Sequence, residues 1–209
     1  MGNDKISVIV STYNAEKEID ICVNSILNQT HKNIELILVD NASPDTIPEI
    51  VDRYMAQDNR VIALHNKVNI GVGDGRNTGI DWVMGNSDSS YLFFLDADDW
   101  IHPECLSRLL SMIVNDGSDI AFTKHTYSSR FEGFTDLSES EYVTKCFDNA
   151  EEFWIKEVKH SAFGTGTVFK KELFSSVRFP KSGLDDERTT YKLVYQCKKI
   201  STMNFGLYY

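Results

Sequence analysis

Apolar positions along the chain fall into two alternating rhythms. Ile6 to Val10, Asn33 to Val39, Arg60 to Leu64 and Tyr91 to Leu95 are short runs rich in β-branched or aromatic residues, the pattern of strands buried on both faces. Between them the period lengthens: Ile19, Cys22, Val23, Ile26 and Leu27 follow the spacing of a helix with one buried face. Ser43 as N-cap and Pro44 at the first helical position predict a second helix running towards Met55, and Pro103 opens another to about Val114. Asp119 to Thr123 is a further strand. Strands alternating with helices predict an α/β fold, a doubly wound, mostly parallel sheet flanked by helices, with the polar loops that follow the strands gathered along one rim.

The rhythm breaks after Lys124. Residues 125 to 147 are polar and aromatic without a sustained period, which predicts a loop or irregular hairpin at the rim. Asp148 to Lys159 reads as a helix with Asp148 and Glu151 at capping-box spacing, Phe163 to Lys170 as extended, Asp186 to Cys197 as an amphipathic helix and Ile200 to Tyr209 as an apolar strand. The expectation is one compact domain in two halves, 1–124 and 125–209. An end on Leu207-Tyr208-Tyr209 leaves large side chains without evident cover and suggests a fragment of a longer protein.

Composition narrows the function. With 42% hydrophobic and 25% charged residues in 209, the chain is an ordinary globular protein, and its formal net charge of -10 argues against a nucleic-acid partner. Cys22, Cys105, Cys146 and Cys197 are scattered, which suggests neither a zinc site nor a disulfide framework and makes a reducing cytosol the simplest compartment. No run approaches the roughly 20 apolar residues of a spanning helix, and a peripheral membrane association stays open.

The chemistry concentrates where the strand Tyr91 to Leu95 runs into Asp96, Asp98 and Asp99. Like charges this close repel, so they call for a cation or a wet crevice, and oxygen-only ligands suit Mn2+ or Mg2+. In parallel sheets ligands bind beyond the carboxyl ends of the strands, where these acids fall. The bland alternative is that Asp98 or Asp99 caps the helix after Pro103. Gly71, Gly73 and Gly75 form G-x-G-x-G after the third strand, the wrong place for a dinucleotide fingerprint; glycines there let backbone approach a ligand, with Arg76 adding a cation.

Five motifs in order carry a resemblance to the inverting glycosyltransferases of family 2, which have the GT-A fold. They are Val8-Ile9-Val10-Ser11-Thr12-Tyr13-Asn14, Ser25-Ile26-Leu27-Asn28-Gln29-Thr30, Glu35 to Asp45, Asn69-Ile70-Gly71 with Arg76-Asn77-Thr78-Gly79, and Phe94-Leu95-Asp96-Ala97-Asp98-Asp99. The resemblance implies that Thr12, Tyr13, Asn14, Asn69 and Gly71 border the nucleotide and that Asp40 hydrogen-bonds the base, favouring a UDP-sugar. It also implies that Arg76 sits near the diphosphate or sugar, that Asp96 reaches the ribose or sugar, and that Asp98, with Asp99 as helper or helix cap, binds the metal. Asn41-Ala42-Ser43-Pro44 replaces the Asp-Gly-Ser-Thr common in relatives. Gly183-Leu184-Asp185-Asp186-Glu187 is similar to the family's acidic motif, whose aspartate is the general base, and this gives Asp186, or Asp185 if the register shifts by one.

The implied reaction is a single in-line displacement, with Asp186 taking the proton of an acceptor hydroxyl and the metal assisting the departing diphosphate. The family implies a saccharide or lipid-linked saccharide acceptor, as in bacterial surface polysaccharide synthesis, and a cytoplasmic enzyme near the membrane. The acceptor would lie between the metal rim and the second half, near Trp154 and Phe163 to Thr167. Two rivals remain: a nucleotidyltransferase, against which Ser11 to Glu16 has neither glycine nor lysine, and a non-catalytic sugar-nucleotide-binding module.

Overall fold

The computed structural model of the protein describes residues 4–127, 134, 142–157, 164–181 and 185–209. Residues 128–133 and 135–141 of the irregular segment, 158 and 159 at the expected helix end, Phe163, and Gly183 and Leu184 lie outside the described residues, as do the side chains of Asp185 and Glu187.

The chain runs β1 (Ile6–Thr12), α1 (Ile19–Leu27), β2 (Ile34–Asp40), α2 (Ile47–Gln57), β3 (Val61–His65), α3 (Val72–Asn86), β4 (Tyr91–Phe94), α4 (Cys105–Asp116) and β5 (Ile120–His125). It continues through β6 (Thr144–Phe147), α5 (Ala150–Lys156), β7 (Thr167–Lys170), a 3-10 turn (Lys171–Ser175), α6 (Asp185–Gln196) and β8 (Ile200–Tyr208). Among the described residues eight strands form one sheet in the order β3-β2-β1-β4-β7-β5-β8-β6.

Alternation along the strands divides the core. Ile6, Val8 and Val10 of β1 and Leu36 and Leu38 of β2 face α1, α2 and α4 on one side, whereas Ile9, Ile37 and Val39 face α3 on the other. Further along that second face Phe94, Phe169, Phe174 and Phe179 pack edge to face or tilted, with α5 and α6 continuing the layer. The helices therefore cover both faces, as the strand runs predict. Among the described residues no helix is long and apolar enough to cross a membrane.

Three local expectations change. The second helix starts at Ile47 with Pro48 in its first turn, three residues later than Pro44 suggests, because the Ser43 hydroxyl accepts a hydrogen bond from Asn14 N–H across the rim at 3.2 Å. The capping of α5 shifts by one residue: Asn149 accepts from Glu152 N–H, and the Glu152 carboxylate accepts from Asp148 N–H. β7 lies between β4 and β5 in the sheet, antiparallel to both. Finally, Leu207, Tyr208 and Tyr209 are buried, and Tyr209 exchanges backbone hydrogen bonds with Trp100.

α3 sits unusually close to the sheet. A methyl group on Gly75 would come within 2.1 Å of Ser11 Oγ, so this glycine brings helix and strand together rather than clearing room for a ligand. That approach carries the next residue, Arg76, over the ends of the strands.

Candidate active site

The carboxyl ends of β1, β2 and β4 open onto a cleft of about 830 Å3. It is lined by Thr12, Tyr13, Asn14, Asn69, Gly71 and Arg76, and by Asp96, Asp98 and Asp186. Nine residues singled out in the sequence thus converge on one cavity. Thr12 Oγ1 is buried in this wall with no hydrogen-bond partner among the described residues, an orphaned polar atom of the kind a ligand satisfies.

Asn41, passed over in the sequence as a variation in a turn, organises the wall opposite. Its Nδ2 donates to Asn69 Oδ1 and to Gly71 O, both at 3.1 Å, while its Oδ1 accepts from Asn66 Nδ2 and from Ile70 N–H. The two turns facing each other across the rim both pass through left-handed backbone, at Asn14 (φ 54°) and Ala42 (φ 58°). A glycine at the second position of that turn would take this conformation without strain, whereas an alanine does so at a cost of about 1 kcal/mol.

Arg76 is the centre of the site. Only 4% exposed, its guanidinium donates to Asp96 Oδ1 at 2.7 Å through Nη2 and to Asp186 Oδ1 through Nη1, and its Cζ lies 5.2 Å from the Phe179 ring centroid. One cation thereby ties the end of β4 to the start of α6, Arg76 itself lying 110 residues from Asp186 in the chain. Gly164 leaves the space: a methyl there would meet Asp186 Oδ1 at 2.9 Å. Phe179 is itself held by reciprocal backbone-to-side-chain hydrogen bonds with Asn77, both 2.9 Å.

Asp40 and Asp99 are placed differently from the other nine. Asp40, 3% exposed, is not among the cleft-lining residues; its Oδ1 accepts from Ser43 N–H at 2.8 Å, and its Oδ2 lies 3.2 Å from His65 Nδ1. His65 Nε2 lies 3.0 Å from Asp52. Partial burial pulls the His65 pKa down, but the Asp40 and Asp52 carboxylates outweigh it and hold it above the ordinary imidazole value. Asp99 lines a second, smaller pocket, and its Oδ2 accepts from the Tyr208 hydroxyl at 2.6 Å. Burial pushes the Asp99 carboxyl up to about 6 against the pull of that hydroxyl, with Asp96 and Asp98 adding to the rise. Tyr208 also accepts from Asp96 N–H at 3.2 Å, so it braces the acidic turn from the far end of the chain, a role with no local signal in the sequence. Trp154 packs beside Phe153 against the core and lines neither cavity.

Asp98 is exposed, lines the cleft and makes no hydrogen bond or ion pair among the described residues. No three acidic, histidine or cysteine groups converge into a complete metal cage among those residues. An open carboxylate beside two others nevertheless fits Mg2+ or Mn2+, which commonly take one or two protein carboxylates and complete their shell with substrate phosphates.

A family model for glycosyl transferase family 2 matches residues 7–178. The chain belongs to this family. Glycosyltransferase GlyA of Streptococcus pneumoniae is 33% identical over 216 residues, which cover 99% of this chain and 30% of GlyA. TarS 1-349 of S. aureus superposes with a TM-score of 0.80 at 24% identity, over 98% of this chain and 60% of that one, and shows the same GT-A fold. Its complex with UDP-GlcNAc superposes at 0.78 and 25% identity, over 98% and 58%. The mannosyltransferase PcManGT of Pyrobaculum calidifontis, in complex with GDP-Man and Mn2+, superposes at 0.69 and 18% identity, over 94% and 54%. This family 2 chain thus spans less than two thirds of the length of each.

Proposed function

We propose that this family 2 chain transfers a sugar from a nucleotide sugar, with UDP-sugars the first choice, to a saccharide hydroxyl with inversion at the anomeric carbon. The observation that carries the reading is the Arg76 bridge between Asp96 and Asp186, which puts a donor-side acid and a candidate base on one guanidinium at the cleft. The UDP-GlcNAc complex of TarS and the GDP-Man and Mn2+ complex of PcManGT support the ligand class.

In this reading residues 1–124 hold the donor and 125–209 the acceptor. The nucleotide occupies the wall formed by Thr12, Tyr13, Asn14, Asn69 and Gly71, with the Thr12 hydroxyl gaining the partner it lacks. Asp40 reads the base after exchanging part of its internal hydrogen bonding, a carboxylate acceptor matching the imide N–H of uracil. Arg76 faces the diphosphate, aided by the N-terminus of α3. Asp98, with Asp99 beside it, would hold the Mn2+ or Mg2+ that neutralises charge on the leaving diphosphate. Asp186 takes the acceptor proton as the acceptor oxygen bonds to the anomeric carbon and the bond to the diphosphate oxygen breaks, its electron pair leaving with the nucleotide. A carboxylate is ionised at neutral pH, so such a base needs no upward tuning. A nucleotide-sugar donor and a saccharide or lipid-linked acceptor carry with them a cytoplasmic location, with peripheral contact to the membrane.

The test is turnover of a UDP-sugar panel with Mn2+ by the wild type and by Asp186→Asn. The reading expects at least one donor to be consumed and the variant to lose about 10²- to 10⁴-fold, the usual worth of a general base, while still binding UDP. Undiminished turnover in the variant would contradict the assignment of the base, and UDP binding without turnover of any donor would leave a binding module.

A further inference from the structure

Asp40 and His65 are partners in the register of β2 and β3, and His65 stands between two carboxylates. Its Nδ1 lies 3.2 Å from Asp40 Oδ2, and its Nε2 lies 3.0 Å from Asp52 Oδ1 on α2. A carboxylate only accepts, so serving both at once takes two ring N–H donors, which the imidazole has only when protonated. Among the described residues, Asp40 from β2 and Asp52 from α2 are the charged groups that act on it. Arg53 of α2 pairs instead with Asp20, Arg60 at the far end of β3 with Asp58, and Lys67 in the following loop is exposed.

The two donors on Asp40 are not equally replaceable. Ser43 N–H belongs to the backbone of a turn, and that turn is pinned where the Ser43 hydroxyl accepts from Asn14 N–H. The imidazole is a side chain open to solvent, with Asp52 as a second partner to fall back on. A donor arriving at the buried Asp40 therefore displaces His65 and leaves Ser43 in place. Displacement costs least when the ring is neutral and keeps its one proton at Nε2 on Asp52, because a bond from the charged ring is roughly twice as strong as one from a neutral donor.

We propose that His65 is a positioning residue for base recognition: it holds Asp40 Oδ2 in the ligand-free protein, yields that oxygen to the imide N–H of the base, and releases its extra proton to solvent as it does so. The inference rests on the assignment of Asp40 to the base. Partial burial lowers the ligand-free pKa of His65, but the two carboxylates outweigh it and hold the value above that of an ordinary imidazole. Binding removes one of those carboxylates from the ring and so lowers the value. Donor affinity is then weakest where His65 is charged in both states, and it rises with pH until the ligand-free ring has lost its proton.

Calorimetric titration with UDP-GlcNAc, whose diphosphate diester does not titrate near neutrality, tests it on wild type and His65→Gln at about pH 6 and about pH 8.5. Wild-type affinity should rise at least about threefold more than that of the variant, which keeps a donor but does not titrate. Asp99, pushed up to about 6, titrates in the same window in both proteins and cancels in that comparison. Long-range 1H–15N spectra of the full chain, with the His65 signals assigned by the same substitution, should show both ring nitrogens protonated at about pH 6 without ligand. At about pH 8.5 with UDP-GlcNAc they should show Nε2 alone protonated. Uridine should move these signals and 3-methyluridine, which lacks the N–H, should not. Equal pH dependence in the two proteins, or His65 signals unmoved by bound UDP-GlcNAc, would overturn the proposal and leave the nucleotide cleft standing. No binding of UDP-GlcNAc at either pH would remove the nucleotide reading and this inference with it.

Discussion

Strands β1 and β2 present a cross-strand polar pair at each end, and the two ends behave oppositely. At their start Ser7 sits opposite Glu35, and at their finish Thr12 sits opposite Asp40. The starting pair is closed: Glu35 accepts from the hydroxyls of Ser7 and Ser87, its other oxygen is 2.7 Å from Lys5 Nζ, and Ser7 also bonds Ser89. The finishing end is open: among the described residues Thr12 Oγ1 has no partner, and Asp98 close by is exposed without a bond. Both ends bury polar groups in one sheet, so burial of polarity alone does not mark a functional site. What marks it is unused capacity that lines an open cleft, as at Thr12 and Asp98.

Arg76 is the group most able to break that contrast, because it belongs to the open end yet is itself fully engaged. Arg76→Met should lower stability by about 3 kcal/mol, leaving Asp96 and Asp186 without their cation, and should also abolish nucleotide binding; urea unfolding together with UDP titration measures both. Loss of binding at unchanged stability would mean that the bridge is not holding the two halves together.

Glu35→Ala sharpens the contrast from the closed end. It should cost about 2 kcal/mol in urea unfolding, since buried hydroxyls lose their acceptor while the partly exposed Lys5 turns to water, and UDP affinity of the folded protein should not move. A change in affinity would show that the two ends are coupled through the strands.

His65 gives the smallest effect and lies between the two behaviours, pinned by Asp40 and Asp52 yet half open to solvent. Its native pKa stands above the unfolded value, so its stabilising contribution is complete below about pH 6.5 and fades as pH rises through the native value. Between about pH 6 and about pH 9 the wild type should therefore lose more stability than His65→Gln. Equal losses would mean that the imidazole titrates alike in the folded and unfolded chain, so that Asp40 and Asp52 do not favour its charged form.

Much of the open end is legible in the amino-acid pattern because it is local. An apolar strand that stops in Asp96, Asp98 and Asp99 announces a wet rim, and runs such as Ile6 to Val10 announce strands covered on both faces. Features decided by distant partners are not legible. Pro44 and Pro48 are equivalent starters for α2 until Ser43 is seen to serve Asn14. β7 is four residues long, too short for its period to reveal that it pairs with both β4 and β5. Asp40 reads as an open turn residue, and only the arrival of His65 and the Ser43 amide shows that it is internally bonded. Tyr208 reaches Asp99 across 109 positions, which no spacing rule encodes.

Calorimetric titration of the chain with UDP, with and without Mn2+, in wild type and Asp98→Ala tests the central claim most directly: that the open carboxylate end of the sheet is a metal-assisted nucleotide site. The account predicts UDP binding that strengthens with Mn2+ and loses that enhancement in Asp98→Ala, with the variant's thermal stability unchanged because Asp98 makes no bond among the described residues. Binding of equal strength with and without Mn2+, unaffected by the substitution, would contradict it.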